Sequence, residues 1–229
     1  MFTLNELPPQ VDAELIALLG SAEPATIGHF LDFGFVDPGV RALFPVPRIA
    51  GTAVTVRFAG FDSTILHYAL GQVRPGDVLI VDRCGDTRHA AVGGGVAFAA
   101  KAAGAKAIII DGMATDIGEI RDYALPVWAR GLSVVTTKLK FLHGEFCVPV
   151  NMGGVPVEPG DAVLADENGV LILKPAQIRE AATRAIAMQK AEGPRLAEVA
   201  KGARLPDLNG TNARIRDLMA KKEAPTSSI

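Results

Sequence analysis

Three consecutive glycines, Gly93-Gly94-Gly95, stand at the start of an alanine-rich segment with helical spacing. Unhindered backbone amides at the first turn of a helix form a site for a carboxylate or a phosphate. The pattern therefore predicts anion binding at this loop, and the alternative is a tight turn that serves only close packing. A dinucleotide-binding loop does not fit, because Phe98 stands where the third glycine of that motif would be.

Two carboxylates, Asp116 and Glu119, lie three residues apart at the start of a second predicted helix, shortly after an Asp111-Gly112 turn. This spacing lets both side chains face the same way. Carboxylate oxygens at a loop–helix junction suit a hard cation such as Mg²⁺ or Mn²⁺, which needs few protein ligands. The alternative is a pair of acidic residues placed near a helix N-terminus because the helix macrodipole favours them.

Histidines and basic residues offer fewer sites. The four histidines do not share the i, i+4 spacing of a helical zinc pair, and no cysteine supports a zinc site. We therefore expect structural histidines, with His89 as the candidate exception because it lies just before the glycines and could approach a bound anion. Lys138, Lys140 and His143 form a modest basic run that is typical of a solvated face; a contact with a substrate carboxylate across a subunit boundary is the alternative.

Composition limits the classes of function. The chain has 229 residues, 49% of them hydrophobic, which is enough for one sizeable core. Lysine and arginine number 23 against 25 acidic residues, so the net charge of −2 gives no attraction to nucleic acid or an anionic membrane. There is no secretory start, no run of ~18 apolar residues, and only two cysteines, Cys84 and Cys147. We predict a cytoplasmic protein with free thiols and no membrane partner.

The elements that must position these residues alternate between strand and helix. The apolar run at 78–82 predicts a strand, and the continuous apolar run at 107–112 predicts a strand buried on both faces between helices. A helix at about Val96 to Ala103 lies between them, and Asp166 to Gly169 connects two strands as a hairpin. Beyond the hairpin, an amphipathic helix is predicted from Pro175 to Lys190. After Gly193 we expect charged, irregular chain, one short helix near 212–222 and a Ser-rich end.

Short glycine, proline and acidic motifs follow one another in a fixed order between Gly51 and Leu173. They are Pro75-Gly76-Asp77-Val78, Gly85-Asp86, Gly93-Gly94, Gly104, Asp111-Gly112, Asp116-x-x-Glu119-Ile120-Arg121, Pro126-Val127, Arg130-Gly131, Gly153-Gly154-Val155, Pro159-Gly160-Asp161 and Asp166-x-x-Gly169-Val170. This series resembles the 4-hydroxy-4-methyl-2-oxoglutarate aldolase and RraA-like family. Members formerly carried the name demethylmenaquinone methyltransferase, and nothing in this sequence resembles a methyltransferase cofactor site.

One position departs from the family pattern. The aldolase signature of the family is a glycine, twenty further residues, and then Arg-Asp-x-x-Glu or Arg-Asp-x-x-Asp. Counting back from Asp116, the glycine is Gly94, but Thr115 stands at the arginine position. Aligning Arg121-Asp122 with the signature instead would place Ala100 at the glycine position. The arginine is therefore missing from this chain.

The resemblance implies an α/β fold, namely a swivelling β/β/α domain of the phosphohistidine-domain type. We expect one domain over residues 1–229, with N-terminal helices, a core at about 20–175 and a C-terminal helical extension at 176–229. The resemblance also implies a homotrimer or hexamer with sites between subunits. Asp116 would bind Mg²⁺ or Mn²⁺, Glu119 would orient the water molecules on the metal, and the amides of Gly93, Gly94, Gly95 and Val96 would hold the carboxylate of a small 2-oxo acid.

Two functions follow from the resemblance. The first is a class II, metal-dependent lyase that cleaves or decarboxylates a 2-oxo acid, such as 4-hydroxy-4-methyl-2-oxoglutarate or oxaloacetate, through a pyruvate enolate. In the family the arginine helps to stabilise the developing oxyanion, so Thr115 belongs to the catalytic position. Arg88, His89 or a basic residue of a neighbouring subunit would then supply the missing charge. The second function is a non-catalytic regulatory or ligand-binding trimer of the RraA type.

Overall fold

The computed structural model of the chain describes residues 1–223. The predicted Ser-rich end at 224–229 lies outside these residues. The chain divides into two compact units, of which the first is Met1–Ala185 and the second begins at Ile186. In the described part of the chain, no helix is both long enough and apolar enough to cross a bilayer.

Most strands of the first unit belong to one mixed sheet. The strands are β1 (Phe2–Leu4), β2 (Arg41–Ala42), β3 (Ile49–Arg57), β4 (Asp77–Asp82), β5 (Ala90–Val92), β6 (Ala107–Ala114), β7 (Val127–Leu132), β8 (Gly144–Phe146), β9 (Val150–Met152), β10 (Val155–Val157), β11 (Ala162–Asp166) and β12 (Gly169–Leu173). The order in this sheet is β1-β8-β3-β4-β6-β7-β2, with β5 on β6, β11 on β3 and β12 on β11. The pairs β3–β4, β4–β6 and β6–β7 are parallel.

The helices of the first unit lie between these strands and after the last of them. They are α1 (Ala13–Gly20), α2 (Pro24–Ile27), α3 (Thr64–Leu70), α4 (Gly94–Ala102) and α5 (Ile117–Asp122), followed by the first turns of α6 (Ile178–Ala200). A short 3₁₀ turn at Pro175–Gln177 precedes α6. The predicted strands at 78–82 and 107–112, the hairpin and the helix near Val96 are all confirmed.

Two apolar clusters cover the two faces of the parallel strands, which explains their continuous apolar sequence. In β4, Leu79 and Val81 face a cluster with residues of α3, α4 and α5, whereas Val78 and Ile80 face a cluster with residues of β9 to β12. Because side chains alternate across a strand, a strand between two such layers has no polar face. The layers are therefore helix, central sheet and a second β-layer, as the predicted β/β/α fold requires.

The second unit is helical. It contains the later part of α6, then α7 (Leu205–Leu208) and α8 (Thr211–Glu223). The predicted irregular chain after Gly193 is wrong, because α6 continues through Pro194 to Ala200. A proline inside a helix removes one hydrogen bond and crowds the preceding turn, but strong helix formers on both sides here sustain the helix.

Candidate functional site

The ends of two neighbouring parallel strands bring the glycines to the acidic residues. β5 runs parallel to β6, with Val92 opposite Ala114. Just beyond that pair, the Thr115 N–H donates to the carbonyl oxygen of Val92 at 2.8 Å. Gly93 and Asp116 are the next residue on each side, and each begins the connection into a helix. The first turns of α4 and α5 therefore meet at the carboxyl end of the sheet, where open α/β sheets commonly bind ligands.

Both carboxylates pack directly against the glycines. The Gly94 N–H donates to Asp116 Oδ2 at 3.0 Å. A Cβ added to Gly93 would lie 2.6 Å from the same oxygen, and one added to Gly94 would overlap the carboxylate of Glu119. Any larger residue at either position would push a carboxylate away. The glycines thus serve close packing, which was one of the two alternatives, and the packed groups are the two acidic side chains.

Two further amides at this helix start are open. Helix α4 begins at Gly94, and the first N–H groups of a helix have no intrahelical acceptor. Among residues 1–223, no protein group accepts a hydrogen bond from the Gly95 or Val96 N–H. A Cβ added to Gly95 would meet nothing within 4 Å, and Gly95 lines an open cleft. The anion-binding alternative is therefore also available, at Gly95 and Val96.

Asp116 has an unusual backbone and no cationic partner. Its φ of 53° lies in the left-handed region, which aspartate tolerates better than most residues. Its Oδ1 accepts a long hydrogen bond from Thr115 Oγ1 at 3.3 Å. In the described residues no lysine or arginine forms an ion pair with Asp116 or Glu119. The Asp116 carboxylate is therefore not neutralised by any lysine or arginine of residues 1–223.

Asp116 and Glu119 suit a hydrated hard cation better than a metal ion that is enclosed by protein ligands. No group of three histidine, cysteine or acidic side chains in residues 1–223 could enclose a metal. Mg²⁺ is commonly bound by one or two carboxylates, with water and substrate oxygens as its other ligands. Asp116 as a ligand, with Glu119 beside it, would match that pattern, whereas a structural zinc site takes four cysteine, histidine or acidic ligands.

These groups form one wall of a cleft of about 330 Å³. Gly93, Gly95, Val96, Thr115 and Asp116 line this wall. A smaller hollow, lined by Leu132, Ser133 and Val134, shares Thr115 and Asp116 with it. The second wall comes from α3 and from the segment after β7, and its polar members are Ser63, His67, Thr136, Thr137 and Lys138.

A buried carboxylate, Asp62, fixes this second wall. It is 1% exposed and accepts hydrogen bonds from the N–H groups of Thr64, Lys140 and Leu142 at 3.1, 3.1 and 2.7 Å, and from Thr64 Oγ1 at 2.5 Å. Burial opposes ionisation of Asp62, but these donors outweigh it and hold its pKa well below the ordinary value. The charge of Asp62 therefore ties the segment that carries Lys138 to the start of α3.

Two titratable side chains of the second wall face the cleft, and sequence reasoning gave neither of them this role. Lys138 was assigned to a solvated basic run or to a contact across a subunit boundary, whereas it lines the cleft of its own chain. His67 was expected to be structural, but no described residue forms a hydrogen bond or ion pair with its ring. Burial lowers the pKa of the His67 imidazole. The sequence signal that could have placed His67 in the cleft was its i, i+4 spacing from Ser63, which puts both side chains on one helix face.

His89, in contrast, is not brought into the cleft. Its Nδ1 lies 2.8 Å from Asp86 Oδ2, and the buried Arg83 contacts the same carboxylate at 3.2 Å. Burial opposes ionisation of Asp86, but hydrogen bonds from His89 and from the Arg88 N–H, with the charge of Arg83, lower its pKa. Cys84 and Cys147 are free thiols, as predicted. The loop before the glycines therefore has its own polar network.

Comparisons with known proteins agree with the fold. Residues 28–172 match the model of the RraA-like family, described as Aldolase/RraA. A 4-hydroxy-4-methyl-2-oxoglutarate aldolase from Thermus thermophilus is 35% identical over 147 residues, which are 64% of this chain and 85% of that protein. A proposed 4-hydroxy-4-methyl-2-oxoglutarate aldolase from Halalkalibacterium halodurans is 32% identical over 138 residues, 60% of this chain, and the match spans 65% of its length, just under two thirds.

A solved structure extends the likeness beyond the family match. Streptomyces coelicolor RraAS2, described as an unusual member of the RNase ES inhibitor RraA protein family, superimposes with a TM-score of 0.71 at 26% identity. The superposition covers 81% of this chain and 98% of RraAS2. Both a lyase and a ribonuclease inhibitor are therefore among the similar proteins.

Proposed function

We propose that this chain, which belongs to the Aldolase/RraA family, is a divalent-metal-dependent lyase that cleaves or decarboxylates a small 2-oxo acid. The observation that carries the proposal is the meeting of two open helix amides, Gly95 and Val96, in one cleft with the Asp116 carboxylate, which forms no ion pair with a described lysine or arginine. A 2-oxo acid needs an anion site for its carboxylate and, beside that site, a cation for its 2-oxo group, which the Asp116 carboxylate can hold. The aldolase names of two relatives support the same class of reaction.

Each group has a distinct task in this proposal. The Gly95 and Val96 N–H groups bind the carboxylate of the substrate. Asp116 would hold Mg²⁺ or Mn²⁺, and Glu119, fixed against Gly94, would orient the water molecules around that ion. When bound, such a cation polarises the 2-oxo group, so that the electrons of the broken C3–C4 bond are accommodated as a pyruvate enolate.

Lys138 is our candidate for the charge that the family arginine would provide. Thr115 has a hydroxyl that donates to Asp116 and carries no positive charge. Loss of one oxyanion donor typically costs ~10²–10³ in rate. Lys138 faces the same cleft from the second wall, and no described acidic residue pairs with its ammonium group. We propose that it binds the anionic end of the substrate or the developing enolate.

The size and polarity of the cleft favour a short diacid. A volume of about 330 Å³ lies at the small end of ligand pockets. The two walls present open amides on one side and an ammonium group on the other. Both 4-hydroxy-4-methyl-2-oxoglutarate and oxaloacetate, which have a carboxylate at each end, match this polarity.

We further propose a homotrimer or hexamer. The end of β7 and the segment after it expose Leu132, Val134, Phe141 and Leu142, with Val134 94% and Phe141 72% exposed. Large exposed apolar patches mark association surfaces, and we propose that these side chains contribute to one. Light scattering after size-exclusion chromatography gives the mass directly, and a monomer at micromolar concentration would contradict this part of the proposal.

A second function, a non-catalytic RraA-type regulator, has one specific observation in its favour. Thr115 removes the arginine of the aldolase signature, and RraAS2 belongs to a family of ribonuclease inhibitors. The unpaired carboxylate and open amides favour the lyase, because a scaffold that only binds another protein has no need of them.

The deciding experiment measures pyruvate release from 4-hydroxy-4-methyl-2-oxoglutarate and from oxaloacetate with Mg²⁺, Mn²⁺ or EDTA. We expect turnover that requires metal and is abolished in Asp116→Ala, whereas Asp122→Ala, a carboxylate on the same helix but outside the cleft, retains it. Lys138→Met should lower kcat/KM, and Thr115→Arg should raise kcat. If the wild-type chain releases no pyruvate from either substrate, the lyase assignment fails for them and the regulatory function is favoured.

A further inference from the structure

One side chain of the second wall has no task in the proposed function. His67 lies on α3, whose buried face packs Ile65, Leu66 and Ala69 against residues of α4. Ser63 and His67, one helical turn apart, therefore face the cleft together. The geometry places an imidazole with no described hydrogen-bond partner across the cleft from Gly95 and Asp116.

The chemistry of carbon–carbon cleavage creates a need for such a group. A retro-aldol step must remove the proton of the C4 hydroxyl and later deliver a proton to C3 of the enolate. Positioned acids and bases typically contribute ~10²–10⁴ to the rate of such transfers. The other titratable side chains of the cleft are committed, since Asp116 is assigned to the cation and Lys138 is a cation itself. A neutral imidazole can both accept and return a proton near neutral pH.

We propose that His67 is the proton-transfer residue of this cleft, an inference that rests on the proposed lyase function. As the C3–C4 bond breaks, the imidazole accepts the proton of the C4 hydroxyl. The O–H electrons form the new carbonyl of the leaving fragment, and the C3–C4 electrons pass into the enolate. The imidazolium then donates the same proton to C3, which gives pyruvate and restores the neutral ring. No other reactant is required.

The two reactions of the proposed function separate this role from a structural one. Oxaloacetate has no C4 hydroxyl, so its decarboxylation removes no hydroxyl proton, and water can protonate the enolate. We therefore expect His67→Gln to lower retro-aldol cleavage by about 10²-fold or more, within the usual range of acid–base catalysis. Decarboxylation should remain within about tenfold of the wild-type rate, because it needs no base.

The test uses three readouts on the full chain with Mg²⁺: retro-aldol cleavage, oxaloacetate decarboxylation, and exchange of the pyruvate methyl protons in D₂O followed by NMR. His67→Gln should slow the first and third selectively, and added imidazole should partly rescue His67→Ala. His29→Gln, an exposed histidine outside the cleft, is the matched control. Thermal unfolding verifies that each variant is folded.

The outcomes are distinguishable. Selective loss with imidazole rescue supports the inference. Equal rates in His67→Gln and the wild type, or an equal fall in all three reactions, would overturn it and leave the lyase function standing. A wild-type chain that is inactive in all three reactions would refute the lyase function, and the inference with it.

Discussion

The Glu119 carboxylate occupies the space that a side chain at position 94 would need, and alanine at this position tests what that packing does. The Glu119 carboxyl carbon would lie 2.9 Å from the added Cβ, and Glu119 Cβ would lie 3.2 Å from it, whereas ordinary contacts begin at about 3.4 Å. Since the methyl group would overlap the carboxylate oxygen itself, Glu119 must move by a distance on the order of 1 Å. Gly94→Ala thus displaces the Glu119 carboxylate without removing it.

We expect Gly94→Ala to change the stability of the chain little and to lower its rate of pyruvate release strongly. Gly94 has a negative φ at the first position of α4, so alanine fits the backbone and favours the helix by up to ~1 kcal/mol. We therefore expect a free energy of unfolding within about 1 kcal/mol of the wild-type value. A misplacement of about 1 Å in a catalytic group can cost 10²-fold. We expect kcat for pyruvate release to fall by roughly that factor.

Pyruvate release coupled to lactate dehydrogenase measures the rate, and chemical denaturation measures the stability. Gly118→Ala is the matched control, because it lies in α5 beside Glu119 and its added Cβ meets nothing within 4 Å. Wild-type kcat in Gly94→Ala would refute the reasoning that Glu119 must stay against the start of α4. Equal losses in both alanine variants would also refute it.

Two further predictions concern the frame of the site. Asp62→Asn should lower the free energy of unfolding by ~2 kcal/mol at pH 7, since hydrogen bonds to a charged acceptor are lost. The lowered pKa of Asp62 stabilises the folded chain above about pH 4, and this stabilisation is lost progressively at lower pH, so the difference between the two unfolding curves should shrink steadily below about pH 4; a constant difference would contradict it. Trp128→Phe removes the hydrogen bond from Nε1–H of this fully buried side chain to the Asp166 carbonyl oxygen at 2.9 Å. The free energy of unfolding, measured by chemical denaturation, should fall by ~1–3 kcal/mol. The dependence of pyruvate release on metal should not change.

The central fold was predictable because its signals are local. β4 and β6 are continuous apolar runs, and the two clusters above and below them explain why no polar face is present. The hairpin of β11 and β12 follows from the turn sequence between them. The end of α6 was missed because a glycine and a proline usually stop a helix, and the helix formers that follow outweighed them.

The first wall of the site was also accessible from the sequence, whereas the second was not. Gly94 and Asp116 belong to one motif, and parallel strands β5 and β6 bring them together. His67 and Lys138 lie far from that motif in sequence and meet it only because α3 packs on α4 and Asp62 holds the segment after β7. A single sequence contains no local pattern that reports these long-range contacts.

The dependence of the second wall on Asp62 has an evolutionary consequence. A surface segment that is fastened mainly through its backbone amides imposes few demands on the identity of its own side chains. The backbone at 137–138 is likewise held by backbone hydrogen bonds, to Phe61, Ser63 and Ala90. The side chains at 136–139 can therefore change while Asp62 and the sheet stay the same, and each change presents new chemistry to an unaltered carboxylate and helix start. Substrate preference in such a scaffold can diverge through the exchange of a few exposed residues, and each variant along the way keeps the fold.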